Sequence, residues 1–177
     1  MRDYISLLIR FNWPHPIWKG KSDTEYADWI KNRIGLFHSL TAKSLNNLYA
    51  LPDSVFIMVD PRRDMGLDIK CKIAASLHRI RRSVAFIDFS PGIRIGDLVR
   101  NAIEERTDFA KIDRLITTRL DSDDLISNAF FAKIRAALKK DSTRSGVMTF
   151  PGGCSFDREN DRFYYSSYLE NPFISLI

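Results

Sequence analysis

Three carboxylates fall within four residues at Asp121-Ser122-Asp123-Asp124. Like charges this close repel one another unless a cation or a solvated turn separates them. Hard divalent cations such as Mg2+ and Mn2+ take oxygen ligands, typically one or two protein carboxylates with substrate phosphates filling the remaining positions. Side chains alternate along an extended segment, so the spacing of Asp121 and Asp123 would turn both carboxylates to one side. The plainer alternative is an acidic turn at a helix N-terminus, where aspartates cap the helix and meet its dipole. Capping needs one aspartate and not three, which tilts the reading toward a cation.

Two other acidic motifs fail on their own positions. A calcium EF-hand loop starting at Asp121 needs Gly at its sixth position and Glu at its twelfth; Ile126 and Ala132 stand there. A phosphatase of the haloacid dehalogenase type also places D-x-D after a strand, but wants Thr or Val at the fifth position. Leu125 occupies it, and only 56 residues (177 − 121) remain for further motifs.

The elements that must hold this cluster can be read from the apolar pattern. Segments 4–9, 55–59, 84–88, 114–118 and 146–150 are short apolar runs, as expected of strands covered on both faces. Between them Tyr26, Trp29, Ile30, Ile34, Phe37 and Leu40 recur at helical spacing, as do Ile69, Ile73, Leu77 and Ile80. Ile95, Leu98, Val99, Ala102 and Ile103 predict a third helix; Phe130, Phe131, Ile134, Ala137 and Leu138, preceded by Ser127 as a cap, predict a fourth. Strand alternating with helix gives an α/β fold: a mostly parallel sheet with helices on both faces. In such a sheet ligands gather at the carboxyl ends of the strands. Asp60 and the Asp121 cluster are both expected there.

Net charge is +5, from 27 Lys and Arg against 22 Asp and Glu. That balance favours anionic partners (nucleotide phosphates, nucleic acid or an acidic membrane face) without choosing among them. The two cysteines, Cys71 and Cys154, have no metal-ligand spacing with each other or with His15, His38 and His78, and read as free thiols in a reducing compartment. The opening MRDYISLLIRFNW is too short to span a membrane and has no cleavage site, so it reads as a buried strand.

The wider segment DRLITTRLDSDDLIS, with Thr118-Arg119-Leu120-Asp121-Ser122-Asp123-Asp124 at its centre, resembles the rhamnosyltransferase-like group of bacterial glycosyltransferases. Two further patches carry the resemblance in the expected order: Arg10-Phe11-Asn12 after the first strand, and Asn171-Pro172-Phe173-Ile174-Ser175-Leu176 near the end. The resemblance implies a GT-A-like, Rossmann-like fold, with a nucleotide-sugar-binding domain over 1–150 and the start of an incomplete acceptor-side segment over 151–177. It implies Mn2+ or Mg2+ bound directly by Asp123, Asp121 on the ribose or a metal-bound water, and Asp124 assisting the metal shell. Arg10 would line the nucleotide pocket, Asp60 would read the base or ribose, and Arg119 would touch phosphate or balance the acidic cluster.

The implied partners are a nucleotide-sugar donor and a saccharide or glycolipid acceptor, with no nucleic acid, for a cytoplasmic enzyme of polysaccharide biosynthesis at the inner face of the membrane. The base that would take the acceptor proton is not identified; Asp157, Glu159, Asp161 and Glu170 are present, each reading as a loop charge. The alternative is a non-catalytic nucleotide- or polyanion-binding module. The basic run His78-Arg79-Ile80-Arg81-Arg82 reads as a solvated helix end. Pro151-Gly152-Gly153 reads as a turn, and Tyr164, Tyr165 and Tyr168 as core aromatics.

Overall fold

The computed structural model of the chain describes residues 2–14, 20–140, 146–150, 152–157, 159–167 and 175–176. Four strands form its parallel centre: β1 (Asp3–Arg10), β2 (Ser54–Val59), β3 (Val84–Asp88) and β4 (Arg114–Asp121). They lie side by side in the order β3-β2-β1-β4. Two short strands extend the sheet beyond β4. Of these, β8 (Ser175–Leu176) runs antiparallel to β4 on one side and to β5 (Val147–Met148) on the other. β6 (Gly152–Asp157) and β7 (Arg162–Ser167) form a separate antiparallel hairpin.

The apolar runs of the central strands are unbroken because both faces of the sheet are covered. On one face Ile5, Leu7, Ile9, Val55, Ile57, Val59, Ile116 and Leu120 meet a core built from α1 (Asp23–Leu36), α2 (Ala42–Asn46), α3 (Ile69–Ser76) and α5 (Phe130–Lys140). On the other, Tyr4, Phe56, Met58 and Ile87 pack beneath α4 (Ile95–Glu104) through Ile103, Leu98 and Val99. The expected α/β fold, a mostly parallel sheet with helices on both faces, is the one observed.

α1 begins where Ser22 and Glu25 exchange hydrogen bonds: the Ser22 hydroxyl accepts from the Glu25 amide at 3.2 Å, and the Glu25 carboxylate accepts from the Ser22 amide at 2.9 Å. This reciprocal cap fixes the entry of the chain into the helix. Its apolar spacing runs on through a π-type turn at Phe37–Thr41 into α2, so one periodic stretch yields two helices. α3 is shorter than its spacing suggests. It ends at Ser76, while Leu77 and Ile80 are buried from the turn that follows.

Several expectations change at the C-terminal end. The strand expected over 146–150 has only two paired residues, and neither the hairpin nor β8 was expected as a strand. Tyr164 and Tyr165 are not in the core; they are 50% and 75% exposed on the hairpin. β8 pairs Leu176 with Thr117 and Ser175 with Thr118, so the segment after residue 150 returns to the main sheet. His15, Pro151, Tyr168, Glu170 and Asn171-Pro172-Phe173-Ile174 lie outside the described residues, and so does most of the late patch of the resemblance.

Candidate functional site at the carboxyl edge of the sheet

Strand order reverses between β1 and β4, where the chain leaves the centre in both directions. The carboxyl ends at such a reversal open a crevice in doubly wound sheets. Arg10 closes β1 and Asp121 closes β4, and the register sets them opposite each other. Arg10 Nε and Nη2 both donate to Asp121 Oδ1, at 3.1 and 2.8 Å. The same two strands are clipped at their other end by a mirrored pair: Arg114 donates to Asp3 at 2.7 and 3.0 Å.

Exposure separates the two clips. The Arg114 and Asp3 side chains are 2% and 19% exposed, whereas those of Arg10 and Asp121 are 39% and 35%. A half-solvated ion pair contributes only about 0–1 kcal/mol and can exchange partners with a ligand. The inner clip holds the sheet, and the outer one can open to an incoming anion.

β4 ends at Asp121, and the next three residues turn back, with the Asp124 amide donating to Asp121 O at 3.1 Å. The acidic cluster is therefore a tight turn. No helix starts on it, since α5 begins at Phe130. Ser127 stands one turn before that helix, accepting from the Phe130 amide through its carbonyl at 2.9 Å and from the Ala129 amide through its hydroxyl at 3.3 Å. Beneath the acidic turn, the buried Thr41 hydroxyl is shared between the carbonyls of Ser122 and Asp124, at 3.0 and 2.9 Å. Asp121 turns to Arg10 on β1, while Asp123 pairs with Arg33 on α1. Arg33 is itself stacked on Trp29, one helical turn back, at 5.0 Å. Its Nε and the Ser122 hydroxyl are buried without hydrogen-bond partners among the described residues.

Asp124 makes no ion pair with an arginine among the described residues. Burial, then the neighbouring charges of Asp123 and Asp121, push its carboxyl from 3.8 to about 6. The folded state thus favours the protonated form, so Asp124 costs stability above about pH 6 and nothing below about pH 3.8. The shift corresponds to at most ~3 kcal/mol, and partial solvent access reduces this to about 1–2 kcal/mol. In metal-free buffer, Asp124→Asn is expected to melt a few degrees higher than the parent at about pH 8, with the two curves converging near pH 4. A gain of equal size at both pH values would show that the charge is not its source.

Asp60 ends β2 as expected, but its side chain is fully buried and its carboxylate is engaged. Oδ1 accepts from the Arg62 amide at 3.1 Å and from Arg62 Nε at 2.8 Å, and Oδ2 accepts from Nη2 at 2.8 Å. Its backbone is tied to Asn12, whose side chain accepts from Asp60 N (2.8 Å) and donates to Asp60 O (3.1 Å). To meet a ribose, Asp60 must release Arg62, which also lies over the Phe89 ring at 4.6 Å. Arg119, two residues before Asp121 on the same side of β4, is exposed and makes no ion pair among the described residues.

The carboxylates left open to a cation are Asp124 and the uncommitted oxygens of Asp123 and Asp121. This set suits a divalent ion held by one or two carboxylates and completed by diphosphate oxygens, the usual arrangement for Mg2+. Among the described residues no three His, Cys, Asp or Glu side chains stand together as a metal site.

Arg33 and Thr41 take part in this edge without having been singled out by the sequence, whereas Asn12 belongs to the Arg10-Phe11-Asn12 patch expected there. Arg33 sits at the i+4 position from Trp29, a spacing that signals a stacked pair. Thr41 lies inside an apolar periodic stretch and gives no such signal. Asp157 serves the hairpin turn: its carboxylate accepts from Glu159 N (2.9 Å), Asn160 N (3.2 Å) and Asn160 Nδ2 (2.8 Å), and the Asn160 side chain leads in holding it below the usual carboxylate range. Cys71 and Cys154 are free and exposed. No helix among the described residues is long and apolar enough to cross a membrane. No protein-family model matches the chain, and no curated protein gives a match.

Proposed function

We propose that the chain binds a nucleotide-sugar donor at the carboxyl edge of its sheet and serves as the donor half of a metal-dependent glycosyltransferase. The observation that carries this reading is the half-exposed Arg10–Asp121 pair at the strand-order reversal, with the Asp121–Asp124 turn beside it. It brings cations for phosphate and oxygen ligands for a divalent ion to one place. The resemblance of the Asp121 segment to the rhamnosyltransferase-like group adds the sugar.

In this reading Asp123 and Asp124 hold Mn2+ or Mg2+, Asp121 positions Arg10 or a metal-bound water, and Arg10 and Arg119 meet the phosphates. The metal, when bound, supplies positive charge to the departing nucleoside diphosphate. Asn12 and Asp60 shape the nucleoside end, and the Trp29-stacked Arg33 keeps Asp123 in place. A carboxylate on the acceptor side would take the proton of the attacking hydroxyl. The acceptor is a saccharide or glycolipid, and the enzyme works on the cytoplasmic side of the membrane.

A second reading, a nucleotide- or polyanion-binding module without catalysis, is favoured by one feature: Asp60, Asp121 and Asp123 are each balanced by their own arginine, without a metal. Calorimetric titration with nucleoside diphosphates, with and without Mn2+, separates the two. The transferase reading expects tight binding only with Mn2+. Equal affinity under both conditions would sink the metal site and leave the binding module.

A further inference from the structure

Six arginines of the described chain (Arg10, Arg33, Arg62, Arg100, Arg114 and Arg135) each hold a carboxylate. Arg79, Arg81, Arg82 and Arg106 hold none among the described residues, and they lie on the segments that form the corner around the amino end of β3. Arg81 and Arg82 form the short turn that leads into β3. Arg106, just past the end of α4, donates to Val84 O at 3.0 Å, which fixes it against the first residue of that strand. Arg79 donates from its guanidinium to Asn46 O at 3.0 Å and from its amide to Asn46 Oδ1 at 3.2 Å, which ties it to the end of α2. All four are exposed.

We propose that this corner docks the protein on an anionic lipid surface. Clusters of four or more arginines and lysines bind acidic headgroups. None of these four arginines is held by a carboxylate among the described residues, so the corner keeps its positive charge for a partner. The corner is built from helix C-terminal ends and a short turn, so it offers no helix or ribbon to enter a groove and no row of aromatic faces to stack on bases. A bilayer asks only for a positive surface. The corner lies at the opposite ends of the strands from Arg10 and Asp121, so the carboxyl edge stays open to solution when the protein is docked. The inference does not depend on the nucleotide-sugar reading.

The test is co-sedimentation of the full chain with vesicles, without nucleotide or metal. Phosphatidylcholine vesicles alone should not retain the protein; those with roughly one-third phosphatidylglycerol should. Binding should fall at least about tenfold as salt rises from ~0.05 to ~0.5 M. Arg81→Gln with Arg82→Gln should lower the partition coefficient roughly 30-fold, about fivefold for each charge removed. Arg100→Gln, which removes an arginine already paired with Glu104, should change it less than about twofold. Thermal melts of the variants confirm that they are folded. Equal retention by neutral vesicles, or undiminished binding by the folded double variant, would overturn the proposal. A preference for a DNA or RNA oligonucleotide over the anionic vesicles at equal phosphate concentration would also overturn it, and would assign the corner to nucleic acid.

Discussion

Asp123→Ala is expected to abolish the Mn2+ dependence of nucleoside diphosphate binding while leaving metal-free binding unchanged or slightly stronger. The two halves of this expectation come from the two partners of Asp123. Toward a cation it offers a carboxylate that is 42% exposed, and losing a direct ligand should cost at least the ~10- to 100-fold that loss of an outer-shell partner typically costs. Toward the protein it neutralises Arg33, and removing it leaves that guanidinium free to meet phosphate. Affinity with Mn2+ should therefore fall at least about tenfold, with no fall in its absence. Because Arg33 is only 21% exposed, the alanine variant also loses some stability. Asp123→Asn, which keeps a hydrogen-bond acceptor near Arg33 but is a poor ligand, provides the check. If Asn binds nucleotide and Mn2+ as the parent does, Asp123 is a structural partner of Arg33 and not a ligand.

The acidic half of this site was legible because D-x-D is a local pattern. The half that balances it was not. Arg10 was expected at the nucleotide pocket through the resemblance alone; that it faces Asp121 depends on β1 and β4 being neighbours, which is a consequence of the crossover through α4. Sequence alternation would have turned Asp121 and Asp123 the same way, but the strand ends at Asp121 and the turn sends them to different arginines. The same contrast runs through the fold. Segments buried on both faces, such as β2, announce themselves as apolar runs. β5 falls inside the apolar run expected as a strand over 146–150, but its two paired residues are too few for the pattern to mark their bounds. The hairpin was missed because Gly152, Gly153 and three adjacent aromatics lack alternation, and because most of the described residues of both strands are exposed, so burial left no mark on them.

The largest loss of stability is expected from Asp3→Ala, far from any ligand. Asp3 accepts two hydrogen bonds from Arg114, whose side chain is 2% exposed and also donates to Leu138 O at 2.9 Å. The pair thus joins β1 and β4 and fastens both to the end of α5. Removing the carboxylate takes two hydrogen bonds and the charge of Asp3 away from a buried cation, a change that typically costs 3–5 kcal/mol, roughly. For a domain whose total stability is about 5–15 kcal/mol this is a large fraction, and it should lower the melting temperature by roughly 6–20 °C. A buried charge with fewer partners costs more than the attraction it loses, so adding Arg114→Met to Asp3→Ala should recover at least half of the loss, roughly. A double variant no more stable than Asp3→Ala alone would place the cost in lost packing. The corresponding change at the other clip, Arg10→Ala, should shift melting by no more than a few degrees, about 0–1 kcal/mol, because that pair is half-solvated. The asymmetry carries the functional argument: two strands are bonded at one end by an ion pair they cannot lose, and at the other by one that a ligand can take over.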